Sequence, residues 1–262
     1  MQISPDLIQS AWVAFSLPLV LMLLFAEIGF RLGMRVHRGG VQHKQTIGGI
    51  QGAILGLLGL LLGFTFALAA GRFDLRRELV LKEANAIGTT YLRASLLPEQ
   101  HVKPVEDLLR RYVALRLEYY PKVTDPAAFA EFLAGSSAIQ RELWRHAVEA
   151  SREAPTPITA TFVTTLNDTI DTEAERIEAG RARIPAAVWI LLQVVAACGC
   201  LLTSYVSGEE GSRSTFSSLV LPVLVAVVLV LIFDIANPHK GFIGTSQQPL
   251  LDLQQSIEPR GG

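Results

Sequence analysis

The chain has 262 residues, of which 50% are apolar and only 18% charged, with a net charge of −1 and a mean hydropathy of +0.36. Those values lie above a typical soluble domain and below a pure membrane bundle, so part of the chain belongs in lipid and part in water. The near-neutral balance, with no basic stripe interleaved with aromatics, gives no support for a nucleic-acid partner.

The apolar residues gather in four blocks, 11–30, 47–70, 184–206 and 216–236, two pairs that frame the charged stretch 71–183. The first block has Asp6 and no Lys or Arg before it, is too long for a signal h-region and is followed by no small-x-small cleavage site. It reads as a retained transmembrane helix. The second block runs from Ile47 to Ala70 without a charge, and about 1.5 Å per residue carries it roughly 36 Å, enough to cross a hydrocarbon core of about 30 Å with some tilt. Gly48, Gly52, Gly56, Gly59 and Gly63 recur along it, and small residues at such spacing let another helix backbone come close in lipid. That predicts a helix packed inside an assembly. Arg72, Arg76 and Arg77 follow at once, either as ordinary flanking charge that fixes topology or as an electropositive ring repeated around a symmetric assembly.

Breakers divide residues 71–183 into about four helices, with turns at Pro98, Pro121 and Pro155-Thr156-Pro157, and Asp125-Pro126 reads as an N-cap followed by proline in the first helical position. Apolar residues recur at spacings of three and four: Val105, Leu108, Leu109, Tyr112 and Val113, then Phe129, Phe132 and Leu133, then Ile139, Leu143 and Trp144. A further stripe takes Ile158, Phe162, Leu166, Ile170 and Ile177, with Asn167, Asp168, Asp171, Glu173 and Glu175 turned away from it. No strand alternation appears, so the fold class is an all-α membrane protein with four transmembrane helices and a helical bundle between the second and third. The second and third spans are expected to run on as unbroken helices over 72–96 and 159–183. The third contains Cys198 and Cys200, whose side chains diverge on a helix and read as small packing residues. Residues 237–262 form a tail.

Lys and Arg near the spans number nine on the side of the middle block and five on the other, which favours both termini and 71–183 in the cytoplasm of a multi-pass inner-membrane protein, although the compact Arg31 to Lys44 loop argues the other way. No phosphate loop, His-Glu-x-x-His helix or Gly-x-Ser-x-Gly elbow is present, so the sequence supports no catalytic residue, cofactor or metal. His37 and His43 read as solvated residues of a Gly39-Gly40 loop. Two acids sit near membrane depth, Glu27 and Asp234; each is either a boundary residue that snorkels or pairs with an arginine such as Arg31, or a group beside an ion path. Phe64 and Phe66, with Leu60 and Leu68 one turn to either side, form either an apolar constriction or ordinary packing and lipid contacts.

Gly63-Phe64, seven residues, Arg72-Phe73 and then Arg77 resembles the Gly-Phe-x7-Arg-Trp segment of bestrophin anion channels, in which the second transmembrane helix lines the pore. Ile235-Ala236-Asn237-Pro238 with Gly241 resembles the Ile-Glu-Asn-Pro-Phe-Gly segment after their last span. Gly63 to Phe66, Glu83 to Thr89, Tyr91 to Ala94 and Leu97-Pro98 look like the bacterial bestrophin-like family of membrane proteins. The resemblance implies a homo-oligomer, a pentamer, with one axial pore lined by the second span that conducts small ions passively. Ion selectivity does not carry over, since related bacterial channels differ in the sign of ion they pass, and anions are favoured only weakly, by the Arg72, Arg76 and Arg77 cluster. It puts Phe64 at the narrow point, Leu60 one turn before and Gly56 two turns before, although Gly56 departs from the bulky residue expected there. Phe242 to Leu253 holds a single carboxylate, Asp252, where animal bestrophins carry an acidic calcium clasp, so calcium gating is not implied. The alternative from another class is a non-conducting membrane scaffold or signalling protein whose helical block binds a partner.

Overall fold

The computed structural model describes residues 5–39, 44–119, 125–237 and 243–258, and these form eight α-helices with no strand among them. His43, Pro121, Gly241 and Arg260, to which the sequence reading gave roles, lie outside the described residues. In chain order the helices are α1 (Pro5–Arg38), α2 (Lys44–Ala94), α3 (Glu99–Tyr119), α4 (Pro126–Glu153), α5 (Pro157–Arg181), α6 (Ala186–Glu209), α7 (Leu221–Ala236) and α8 (Gln248–Ile257). Four stretches are long and apolar enough to cross a membrane: Ser16–Arg38, Ile47–Ala94, Pro157–Glu209 and Ser218–Ala236.

The chain divides into two compact units, Met1–Phe73 with Arg183–Gly244, and Asp74–Ala182 with Thr245–Gly262. In the first, α1 and α6 run side by side at backbone contact. A Cβ built on Gly29 would fall 2.1 Å from the Leu201 carbonyl oxygen, one on Gly33 2.1 Å from that of Tyr205, and one on Gly208 2.4 Å from that of Phe30. The step of four residues on both helices makes them parallel. Gly199 meets Leu55 of α2, and Gln51 donates from Nε2 to Thr203 Oγ1 at 3.2 Å, so α2 runs antiparallel to α6. Met22, Ala26, Leu58, Leu192, Ala196, Cys200, Val225, Ala226 and Leu229 fill the space between the helices. Leu17, Val20, Leu24, Ile190, Val194, Leu224 and Val227 stay exposed on the outside, as a lipid-facing surface requires. Cys198 is exposed and Cys200 buried, and both are free thiols.

Two expectations are corrected at span ends. α1 continues as helix through Arg38, so Arg31, Arg35 and His37 are helical residues; the His37 ring Nδ1 pairs with the Glu209 carbonyl at 2.8 Å. The third span does not run unbroken from 159: α5 stops at Arg181 and α6 starts at Ala186, with Pro185 as its N-cap. Proline has no amide hydrogen and pushes Ile184 out of helical geometry. Before α7 the chain makes a π-helical turn, Phe216–Val220, and Pro222, which donates no hydrogen bond, follows in the first turn of α7.

The second unit packs the end of α2 with α3, α4, α5 and α8 around Val80, Ile87, Val105, Leu109, Tyr112, Leu143, Phe162, Leu166 and Leu250. Asp125 caps α4, its carboxylate accepting from Ala127 N at 2.9 Å, and Thr156 caps α5 by accepting from Thr159 N at 3.2 Å. Two stripe members and one residue expected to face away from the stripe depart from expectation. Trp144 and Ile158 are exposed, whereas Glu173 is buried at 4% exposure. Glu173 stands seven residues, two helical turns, beyond Leu166, and so shares the buried side of α5.

Candidate functional site

α2 is a helix with two unlike faces. Leu58, Thr65 and Ala69 turn inward and are buried. Thr65 is a hydroxyl at membrane depth, and it satisfies itself by donating to the Leu61 carbonyl at 2.7 Å. The opposite face carries the glycines. A Cβ placed on Gly48, Gly49, Gly52, Gly56, Gly59, Gly63 or Gly71 meets nothing within 4 Å, so among the described residues no other helix uses this smooth surface. Beside the glycines, Leu60 is 54% and Phe64 65% exposed, and Gly56, Leu60 and Phe64 follow each other at one-turn intervals along one open strip. Phe66 and Leu68 are exposed as well.

The three arginines after the span do not share a side of the helix. Arg76 is buried, Arg72 is half-buried with its Nη1 shielded, and Arg77 is exposed. Eighteen residues make five turns of an α-helix, which puts Asp74 in line with Gly56, Arg77 with Gly59 and Glu78 with Leu60. The open strip therefore runs on into one base and two acids, all three exposed.

The two acids near membrane depth have partners. Glu27 accepts from Arg31 Nε at 2.8 Å and from Arg213 Nη2 at 2.6 Å, and Arg213 lies 4.4 Å over the Phe30 ring. Asp234 is buried, and its Oδ2 accepts from the Ile243 backbone N–H at 3.0 Å, so it ties the chain after α7 back to that helix.

A second ionic constellation, missed in the sequence, lies in the core of the second unit. Glu83 of α2 has 0% side-chain exposure and pairs with Arg116 Nε of α3 at 2.7 Å and with Arg176 of α5. Arg176 also bonds the Gln247 side chain just before α8. Glu173 takes the Tyr112 hydroxyl, the Ser136 hydroxyl at 2.6 Å and Gln140 Nε2 at 2.5 Å, and Arg116 Nη1 stands 4.0 Å from it. Burial, with the Glu173 and Glu83 carboxylates nearby, pushes the Tyr112 phenol well above its ordinary range, so it stays a hydrogen-bond donor. Burial alone would lower Arg116, but Glu83 above all outweighs it and holds the guanidinium charged. Two carboxylates and two guanidiniums on α2, α3 and α5 thus neutralise one another, with neutral partners from α4. The arrangement fixes register and holds no reactive pairing.

A family model described as the bestrophin-like domain matches residues 20–250. The chain belongs to the bestrophin-like family. Among curated proteins no sequence relative matches it. Its fold is similar to crystal structures of a bacterial bestrophin homologue from Klebsiella pneumoniae. One single-residue variant aligns at TM-score 0.67 and 14% identity, covering 92% of this chain and 96% of that one. A second aligns at TM-score 0.64 and 16% identity over 91% of this chain and 98% of that one. A third gives 0.62 and 19% over 92% and 95%. The bestrophin-like assignment and the four apolar helices make this an integral membrane protein.

Proposed function

We propose that this bestrophin-like protein is a homo-oligomeric pore that conducts small ions passively, with α2 of each copy facing a shared axis. The open glycine face of α2 carries the reading. Glycine within a helix costs roughly 0.5–1 kcal/mol relative to alanine, and seven on one helix touch nothing in their own chain. Such a face is useful where another backbone or a narrow axis must come close. In this reading Phe64 rings form the narrowest point, Leu60 rings lie one turn away, and Gly56 widens the path two turns away. Gly48, Gly52, Gly59 and Gly63 are the contact surface between neighbouring copies of α2.

The resemblance to bestrophin anion channels supports a pentamer. A weak preference for anions rests on Arg77 alone, and Asp74 and Glu78 oppose it: the three exposed groups together carry one net negative charge per copy, so the sign of the permeant ion turns on which of them faces the path. The nine-to-five excess of basic residues supports an inner-membrane location with the termini and residues 71–183 in the cytoplasm. The proposed divisions are membrane pairs at 1–70 and 184–236, a helical block at 71–183 and a tail at 237–262.

Purified oligomer reconstituted in liposomes decides the matter, with chloride and sodium flux read separately. Flux above empty liposomes that falls or changes its ion ratio in Arg77→Gln supports the pore. Flux at the empty-liposome level from a folded oligomer overturns it and leaves the non-conducting scaffold.

A further inference from the structure

Outside the membrane strip and the Glu83 network, the described residues hold one further cluster of ligand-type side chains. His101 in the first turn of α3 and His146 in the last third of α4 are 5% and 8% exposed, and their Nδ1 atoms face each other at 3.0 Å. Glu149, one turn along α4, joins them, and the three donor atoms lie within 4.8 Å of one another. The rings meet edge to face with centroids 5.3 Å apart, which sets the two Nδ1 atoms side by side between α3 and α4.

We propose that His101, His146 and Glu149 form a zinc site that clamps α3 to α4. Zinc takes imidazole nitrogen at about 2.0–2.1 Å in tetrahedral geometry, which sets neighbouring ligand nitrogens about 3.3 Å apart, a few tenths of an ångström beyond the spacing found here. Mixed nitrogen and carboxylate donors suit zinc, whereas magnesium and calcium want oxygen throughout. The surroundings are those of a ligand histidine. The far nitrogen of His101, Nε2, is buried and stands 3.5 Å from Glu153 Oε2, and Glu153 is itself gripped by Gln100 Nε2 at 2.5 Å. His101 Nε2 makes no hydrogen bond as it stands, and Glu153 is the carboxylate within reach that would hold its proton and leave Nδ1 free for the metal.

His146 pairs through its Nε2 with Arg145 Nη2 at 3.2 Å, so in the metal-free protein its proton sits on Nδ1 and bridges to His101. Metal entry moves that proton to Nε2. Arg145, whose Nη1 now holds both Glu149 oxygens at 3.1 Å, must then release that carboxylate and turn away, as its half-exposed side chain can, toward Glu142 at 3.8 Å. The ion takes three protein ligands and a water in the fourth position.

The test uses the full-length oligomer with any affinity tag removed and stripped of metal. Zinc uptake is read by elemental analysis and cobalt substitution by visible absorption. We expect one zinc per chain, a tetrahedral cobalt spectrum and a zinc-dependent rise in melting temperature. His146→Gln should weaken binding 100-fold or more, and Glu149→Gln, whose position is exposed and leaves the fold intact, about tenfold. Arg145→Gln should bind at least as tightly as the wild type, which a purely structural histidine pair does not predict. Zinc uptake below one per chain in the wild type, or equal uptake in the wild type and Glu149→Gln, overturns the proposal.

Discussion

The most demanding consequence of the buried charge cluster concerns Glu83→Gln, which removes one charge and keeps the side-chain shape. Glu83 faces Arg116 at 2.7 Å with both side chains at or below 5% exposure, and it serves Arg176 with its other oxygen. With an effective dielectric of about 20, unit charges at that distance attract by about 6 kcal/mol, part of which desolvation cancels when the pair forms. The change leaves Arg116 buried with only Glu173, 4.0 Å away, as a charged partner. Breaking a buried pair from one side costs about 3–5 kcal/mol. For a helical unit of this size about 3 °C of melting temperature corresponds to each kcal/mol, so a drop of about 10–15 °C is expected. Far-UV circular dichroism of the detergent-solubilised oligomer, at fixed protein and detergent concentrations, reads it. Glu83→Met with Arg116→Met should recover a large part of the loss, because two apolar side chains remove both charges together. A drop below about 2 °C in a correctly assembled Glu83→Gln protein would refute the account of the cluster as a mutually neutralising core.

Gly33→Val places branched carbon where a Cβ alone would lie 2.1 Å from the Tyr205 carbonyl oxygen, so α1 and α6 must separate; loss of folded oligomer in size-exclusion chromatography is expected, and wild-type recovery would contradict the backbone contact. Gly59→Leu meets nothing within 4 Å in its own chain, so it should leave each copy folded while shifting the assembly to fewer subunits by native mass spectrometry. Phe64→Ala should widen the constriction and raise single-channel conductance severalfold, and unchanged flux would move the narrow point elsewhere. The His146 imidazole is held below its ordinary range, first by burial and then by Arg145 and His101, with Glu149 and Glu142 opposing. The neutral ring is the one the fold accepts, so its stabilisation is complete above about pH 6.5 and is lost as the pH falls below that value. Melting temperature followed from pH 8 to pH 5 should decline at the acid end in the wild type, and His146→Gln should flatten the His146-dependent part of that slope.

How much of this was legible depended on whether the signal was local. Helix number, the four apolar blocks, the Asp125 cap and the Val105-to-Val113 stripe all follow from spacing along one helix, and the structure returns them. The close approach of α1 to α6 does not show in the sequence, because Gly29, Gly33 and Gly208 are scattered over two distant segments, whereas the dense glycines from Gly48 to Gly63 meet nothing within 4 Å among the described residues. Pro185 was overlooked as a breaker because it stands at the start of an apolar run. Glu173 was assigned to solvent by its charge although its position, two turns from Leu166, put it on the buried side. His101 and His146 carried a signal of the same kind: His101 lies one turn before Val105, and His146 three residues after Leu143, each on a stripe read as core.

The pattern of what is buried bears on what the assembly is for. In the water-exposed kind of sequence, residues Asp74 to Ala182, charge is brought inside and paired until Glu83, Arg116, Glu173 and Arg176 balance. In the apolar kind the reverse holds: on α2 the fold leaves outside a surface of glycine, leucine and phenylalanine that is free of charge from Ile47 to Ala70. Lipid chains gain nothing from glycine in place of a larger apolar residue, and a helix that only faced lipid would lose helical stability by carrying seven. A second backbone, or a narrow water-filled axis that admits small ions, does gain from it. On the proposed reading other copies of the same chain cover this face, and the strip from Gly56 through Leu60 to Phe64 is where gating variants should be sought first.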